Sequence, residues 1–312
     1  MSLANQIKQI GLGLGFDKVA ISKASCFPEH EALKSWLAHG LHGSMDYMER
    51  GASKRMNPKE VMPEAKSVIT CALNYNTDHP YSVDCKDSSR GWIARYAWGD
   101  DYHEVMSPML QHFVEKIHHL VPGTICKVYV DTGPVMERVF AKNSGMGWMG
   151  KNTCIIDKKL GSWLFLGVIF TNLELKEDPI VPDHCGKCTA CIDACPTQAI
   201  TEPYKIDARK CISYLTIEHR GEIAPELADK MGSHLFGCDI CQDVCPWNRK
   251  APATALEAFQ PRDGFFNPSL KKFEERVEKE YPTGFKHSPL KRAKREGLLR
   301  NIKIVRRNAS TG

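Results

Sequence analysis

A chain of 312 residues, 42% hydrophobic and 25% charged, is long enough for two or three domains and has the composition of a soluble globular protein. Its longest apolar run, "WLFLGVIF" at 163–170, is far short of the roughly 20 residues a membrane helix needs. The N-terminal stretch has no basic n-region, twin arginine or cleavage site, so the expected address is the cytoplasm and no membrane is involved. The net charge of +5 is uneven: nine Lys or Arg and one acid between Lys286 and Arg307 leave everything before that stretch slightly acidic. A basic tail on an acidic body points to a polyanionic partner, nucleic acid first among them, against a merely solvated helix face.

Along the chain, 3–14 and 29–40 have helical spacing, and "DKVAISK" (17–23) reads as a short strand. "SVITCALNY" (67–75) and "ICKVYVD" (125–131) alternate and are β-branched, which predicts strands. "YHEVMSPMLQHFVEKIHHL" (102–120) predicts a helix that stops before Pro122-Gly123. "SWLFLGVIFTN" (162–172) has the continuous apolar character of a strand buried on both faces. The polar, proline-marked "ELKEDPIVPDH" (174–184) is a natural boundary, and from 251 onward the chain is charged and helix-prone.

Thirteen cysteines is a high count for a chain with no export signal. Five (Cys26, Cys71, Cys85, Cys126 and Cys154) are scattered and read as small buried hydrophobes. The other eight fall in two runs. "CGKCTACIDACP" is the bacterial ferredoxin pattern C-x2-C-x2-C-x3-C-P, whose short loop wraps three corners of a cubane while the fourth cysteine ligates the neighbouring cluster. Cys211 and "CDICQDVCP" form the second run. The crossover rule then assigns Cys185, Cys188, Cys191 and Cys245 to one [4Fe–4S] cluster and Cys195, Cys211, Cys238 and Cys241 to another. Zinc prefers separated C-x2-C pairs and has no use for a third cysteine at this pitch. The 26 residues between Cys211 and Cys238 are helix-like and too long for a cluster loop, so a segment is inserted beside the second cluster.

Two clusters next to a large α/β unit imply one-electron delivery to a redox centre. Neither G-x-G-x-x-G after a strand nor G-x-x-x-x-G-K-[ST] is present, so the residues alone do not identify that centre. In "VYVDTGPVMERVFAKNSGMGWMGKN" (128–152) a strand ends at Asp131, and Pro134 suits the first turn of the helix that follows. Asp131 is then either a helix cap or a functional carboxylate, held ionised near a helix N-terminus or turned into a proton donor by burial against an apolar cofactor. The glycines of "GMGWMGKN" suit backbone lying close to a flat ligand, or an ordinary glycine loop.

"RYAWGDDYH" (95–103), "DTGPVMER" (131–138), "GWMGKN" (147–152), "CISYLTIEHRGEI" (211–223) and "GCDICQDVCPWN" (237–248) together resemble the epoxyqueuosine reductase family. The resemblance runs from about residue 5 to 250. It implies an α+β fold: a nitroreductase-like mixed α/β cobalamin-binding domain (1–178), a ferredoxin-like module with two [4Fe–4S] clusters (179–250), and a short helical basic segment (251–312) that starts a HEAT-like tRNA-binding region. The activity implied is reduction of epoxyqueuosine to queuosine at the tRNA wobble position, by cobalamin reduced through the clusters. Asp131 matches the family's proton donor, and Arg55, Arg95, Asp131 itself, Lys151, Asn152, Ser213 and Asp239 match its cofactor contacts. The D-x-H-x-x-G signature of an axial histidine is missing from "DYHEVM", in keeping with a base-off cofactor. Expected partners are the tRNA anticodon stem-loop and an external low-potential electron donor, with the protein a monomer. The family's repeat pair extends beyond "HSPLKRAKREGLLRNIKIVRRN", so the chain reads as a short or truncated form. The alternatives are a reductive dehalogenase-like enzyme acting on a small organohalide, and a non-catalytic electron-transfer subunit.

Overall fold

The computed structural model describes residues 1–311. Its frame is a four-stranded sheet in the order Lys18–Lys23, Ser67–Asn74, Leu164–Thr171, Cys126–Tyr129, every neighbouring pair antiparallel. The register lines up Ile21, Ile69, Ile169 and Val128 across the sheet. That row faces a layer made of the helix Leu3–Gly13 and the long helix Tyr102–Leu120, which contribute Ile7, Leu110, Phe113 and Ile117. Val68, Val168 and Phe170, on the opposite pleat, pack against Val135, Phe140 and Met62. Both faces are covered, which is why Ser67–Asn74 is buried along its whole length and Leu164–Thr171 reads as a nearly unbroken apolar run. The predicted strands and the long helix lie where periodicity puts them, with ends shifted by at most two residues.

The helix Leu3–Gly13 begins at Ser2, whose Oγ accepts from the Asn5 N–H. Gly11 carries no side chain because a Cβ there would lie 2.7 Å from both Phe113 and Val19. The long helix begins at Asp101, whose carboxylate accepts from the His103 N–H at 3.1 Å. No helix among the described residues is long and apolar enough to cross a membrane.

The cysteine module supplies two short helices, Ala190–Asp193 and Ile240–Asp243, one inside each cysteine run. The inserted segment between Cys211 and Cys238 contains the helix Ile212–Ile217 and the strand His234–Phe236, which pairs in parallel with Trp92–Ile93. Around this pair Trp92, Trp98, Leu235, Phe236, Phe265, Phe273, Phe285, Leu298 and Ile302 form one core. Residues expected to form a separate basic tail therefore share a core with residues from the first 100. The C-terminal helix Lys294–Thr311 is anchored by Asn301, fully buried, whose Nδ2 donates to Thr216 O and Leu235 O.

The tail's charge is also less free than its sequence suggests. Arg300 donates to the carbonyls of Leu215, His219 and Gly221, so its guanidinium fastens the inserted segment. Arg292 grips Glu218 through two nitrogens, Arg306 pairs with Glu274, and Arg307 pairs with Asp229. Lys294 and Lys303 are exposed and in no ion pair among the described residues.

Candidate active site

Asp131 stands just past the end of the strand Cys126–Tyr129, in the left-handed region at φ 55°. The Thr132 N–H closes onto Val130 O at 2.5 Å, a three-residue turn with Asp131 at its apex. A non-glycine residue held at such an angle is strained, a condition that concentrates at functional sites. Gly133 follows because a Cβ there would meet the Tyr129 ring at 2.2 Å. The following helix begins only at Glu137, so Asp131 does not cap it.

The Asp131 carboxylate is instead held from the start of the long helix. Tyr102 donates its hydroxyl to Asp131 Oδ2 at 2.7 Å, and His103 Nε2 lies 3.6 Å from the same oxygen. The Tyr102 ring stacks on Phe165 at 4.4 Å and on His103 at 4.1 Å, which fixes both side chains. His103 Nδ1 lies 2.7 Å from Asp101 Oδ1, so the imidazole stands between two carboxylates. Burial depresses the His103 pKa, but the Asp101 hydrogen bond and the charges of Asp101 and Asp131 outweigh it and carry it up to about 9. Crowding pushes Asp131 up, and the Tyr102 hydrogen bond with the nearby His103 charge more than reverses that, leaving its carboxyl below the ordinary value. Asp131 is thus an ionised group beside an imidazolium, with its side chain 66% exposed.

Glu137 lies behind it. Burial and the Asp131 charge raise its pKa to about 8, and its Oε1 is buried without a hydrogen-bond partner. Arg55 is buried within electrostatic reach of both carboxylates and donates to Tyr47 O at 3.2 Å. Tyr47 lies under the Arg292 guanidinium at 5.6 Å, which brings the C-terminal region to the rim of the same site. Tyr102, His103, Glu137 and Tyr47 were not singled out in the sequence. The one available signal was the run "DDYH", whose acid, phenol and imidazole lie at the start of a predicted helix.

The eight clustered cysteines fall into two groups in space. Cys185, Cys188, Cys191 and Cys245 line a single cavity together with Lys151, Asn152 and Trp247. Cys211 and Cys238 each interact electrostatically with Cys195, and Cys241 with both Cys238 and Cys211. Among the described residues no three His, Cys, Asp or Glu side chains converge as they would on a single ion. The thiols of Cys185, Cys188, Cys191 and Cys245 surround a volume, the arrangement a multi-iron cluster calls for. Cys154, expected to be a small buried hydrophobe, is only half-buried and lies within electrostatic reach of Cys245, Cys211 and Arg138, and Arg138 in turn reaches Asp131. Charge interactions through Arg138 and Cys154 thus link Asp131 to the cysteine groups.

The remaining sequence candidates occupy distinct places. Lys151 Nζ donates to Gly186 O and Cys188 O on the first cysteine run, while Asn152 Nδ2 donates to Cys241 O on the second. Two adjacent residues of "GMGWMGKN" thereby clamp the two runs together. The glycines there serve close backbone packing: a Cβ on Gly147 would lie 2.2 Å from Ile156 O, and one on Gly145 2.4 Å from Pro179 O. Ser213 lies beside the Cys211 thiol. Arg95, expected to contact a cofactor, is 1% exposed and directs its guanidinium at the carbonyls of Thr77, His79 and Pro80 and the Thr77 hydroxyl, over the rings of Trp98, Trp163 and Tyr81. Asp239 is likewise internal, accepting from Trp92 Nε1 and the Arg95 N–H. Asp239 thereby ties the cysteine module to Trp92 and to the Arg95 backbone, while the Arg95 guanidinium braces the segment 77–80.

A strained acid–base site beside eight grouped cysteines defines an iron–sulfur oxidoreductase, and residues 184–248 match the family model "4Fe-4S double cluster binding domain". Residues 55–132 match "Epoxyqueuosine reductase QueG, DUF1730". The epoxyqueuosine reductase of Pseudomonas aeruginosa is 43% identical over 310 residues, 98% of this chain and 86% of that protein. The one from Leadbetterella byssophila is 43% identical over 97% of this chain and 98% of its own length. A crystal structure of epoxyqueuosine reductase with a tRNA-Tyr epoxyqueuosine-modified tRNA stem loop superposes with a TM-score of 0.81 at 31% identity, covering 98% of this chain and 80% of that one. The chain belongs to the epoxyqueuosine reductase family.

Proposed function

We propose that this protein reduces epoxyqueuosine to queuosine in tRNA, with a cobalamin in its nitroreductase-like first domain and two [4Fe–4S] clusters in its cysteine module. The observation that carries this reading is the position of Asp131: strained, exposed, flanked by proton-bearing groups, and linked by charge interactions to the cysteine groups. The two cluster sets are those given by the crossover rule, Cys185, Cys188, Cys191 and Cys245, then Cys195, Cys211, Cys238 and Cys241. The residues also suit a base-off corrinoid. His103 is occupied by two carboxylates and protonated, so it offers no lone pair as an axial ligand. The unpartnered Glu137 Oε1 and the buried Arg55 provide an acceptor and a cation for a ligand rich in amides. A reduced corrinoid bound there would supply the electrons that break the epoxide.

The residues of the chain manage the protons. Removing the epoxide oxygen as water takes two electrons and two protons. Substrate closing over Asp131 displaces water from the carboxylate and raises its pKa. The proton on His103 Nε2 then passes to Asp131 Oδ2, and from there to the oxygen as its bond to carbon opens; the second proton, which releases that oxygen as water, comes from solvent through the same pair. Tyr102 keeps Oδ2 aligned throughout. The electrons come from an external low-potential donor, and the exposed lysines of the C-terminal helix lie along tRNA phosphates. Neither a small-molecule dehalogenase nor a passive electron-transfer subunit accounts for both this proton relay and a basic helix at its rim.

The test is anaerobic turnover of epoxyqueuosine-containing tRNA by cluster-replete, cobalamin-loaded protein, scored for queuosine after nucleoside digestion. Absence of product would sink the proposal.

A further inference from the structure

The cavity of Cys185, Cys188, Cys191 and Cys245 is the outer of the two cysteine groups. Gly186, Lys187, Cys188 and Thr189 are all exposed over it, and Cys188 is the one exposed thiol of the eight, whereas Cys195, Cys211, Cys238 and Cys241 are each half-buried. Next to it, across the wall made by Ile156 and Asp157, lies an open groove of about 590 Å³ lined by Lys18, Lys158, Lys159 and the segment 179–182. Val181 of that segment packs on Trp148, Ile156 and Cys245, so the groove and the cysteine cavity share a hydrophobic partition.

The rim has an unusual make-up. Ile180 is 58% exposed and Tyr204 44%, two of the few large apolar side chains on the surface. Tyr204 belongs to the cysteine loop: its N–H donates to Lys151 O, and its hydroxyl donates to Asp183, which also accepts from the Cys185 N–H. Lys158, Lys159 and Lys187 are exposed and in no ion pair among the described residues. The neighbouring acids are already engaged, Asp157 with Lys18 and two backbone N–H groups, Asp183 with Tyr204 and Cys185. Asp183, and Asp17 in the groove lining, keep their charge in bonds to neutral donors, so the face carries both signs, with three lysines left without a carboxylate partner around a small apolar patch.

We infer that this face is the docking surface for a small, strongly acidic one-electron carrier protein. The inference rests on the cluster reading above. One electron leaves the reduced centre of the carrier and enters the outer cluster, with no bond or proton exchanged. A brief encounter of this kind needs little buried area, and unpaired lysines around an apolar spot supply charge steering and a contact that releases quickly. Nucleic acid is less well suited, because Ile180 offers nothing to a phosphate backbone and the Tyr204 hydroxyl is already given to Asp183.

The experiment is anaerobic stopped-flow reduction of cluster-replete protein by a reduced acidic [2Fe–2S] ferredoxin, comparing wild type with the triple variant K158E/K159E/K187E. The bimolecular rate should fall at least about tenfold at low ionic strength, and the difference should shrink as salt is added. Ile180→Ser should lower the rate by a smaller factor that salt leaves unchanged. The amplitude of bleaching by dithionite and the affinity for the tRNA stem-loop should stay at wild-type values. An unchanged ferredoxin rate in a triple variant that dithionite still bleaches fully would overturn the inference. So would a parallel loss of stem-loop affinity, which would assign the lysines to RNA. Failure of the cluster reading itself would be seen separately, as wild-type protein that dithionite cannot bleach.

Discussion

Tyr102 and His103, consecutive at the start of one helix, both address Oδ2 of Asp131, the first by a 2.7 Å hydrogen bond and the second from 3.6 Å. Consecutive helical side chains diverge by about 100°, so they reach one atom only because that atom stands over the first turn. Asp131 at φ 55° puts it there.

Replacing Asp131 by Ala or Asn removes the proton donor and should lower single-turnover product formation by about 10²–10⁴-fold. Cluster absorbance and tRNA binding should be retained, since the side chain is exposed and supports no core. Tyr102→Phe deletes one hydrogen bond to an ion, worth about 1.5–3 kcal/mol, and should cost roughly ten- to hundredfold in the same assay. Wild-type turnover by Asp131→Ala would leave the residue without a chemical role.

The pH dependence follows from His103. Its pKa rises from 6.5 to about 9 in the folded protein, so its stabilising charge is complete below about pH 6.5 and is lost as pH rises through 9. Asp131 is shifted down, so its contribution is present above its ordinary value of 3.8 and disappears as acid protonates it. Turnover should therefore fall along an alkaline limb near pH 9, and Asp101→Asn should move that limb to lower pH. A pH–rate profile checks both, with His103→Gln expected to lose the limb altogether.

Ligand crossover has an analytical consequence. Cys245→Ser should disturb the cluster of Cys185, Cys188 and Cys191, even though Cys245 follows Cys241 by four residues. Cys195→Ser should disturb the other cluster. Each variant should lose about half of the iron, with the changes falling in different components of the electron paramagnetic resonance spectrum.

Arg95 should be a stability residue. Its guanidinium is enclosed by three aromatic rings and four oxygens, so Arg95→Ala leaves buried acceptors unpaired and should cost about 3–5 kcal/mol in denaturant melts. Lys294→Ala and Lys303→Ala should leave the melt unchanged while each lowers the salt slope of tRNA binding by about one. Arg300→Ala should do the reverse, because its charge is turned inward.

Much was legible from local pattern. Strands buried on both faces, the long helix and its stop at Pro122-Gly123 all come from short-range sterics and hydrophobic periodicity, which a sequence displays directly. The cysteine spacing named its chemistry for the same reason: three thiols within seven positions can close on one inorganic cube. What local pattern could not give was the partner of each polar side chain. Arg95 matched a cofactor contact but was enclosed by the residues between Thr77 and Pro80, and Cys154 looked incidental but lies within electrostatic reach of both cysteine groups. The basic tail looked free, yet acids distant in sequence pair with Arg292, Arg306 and Arg307.

The sequence by itself determined the layers of the first domain, the iron–sulfur character and the identity of Asp131 as a residue to watch. Only the tertiary structure decided that Asp131 is an ionised carboxylate beside an imidazolium rather than a helix cap, and that the last 60 residues share a core with Trp92 and Trp98. Periodicity is a property of neighbours along the chain. The state of a proton and the freedom of a charge are set by groups that folding brings within a few ångströms, and no local pattern encodes those distances.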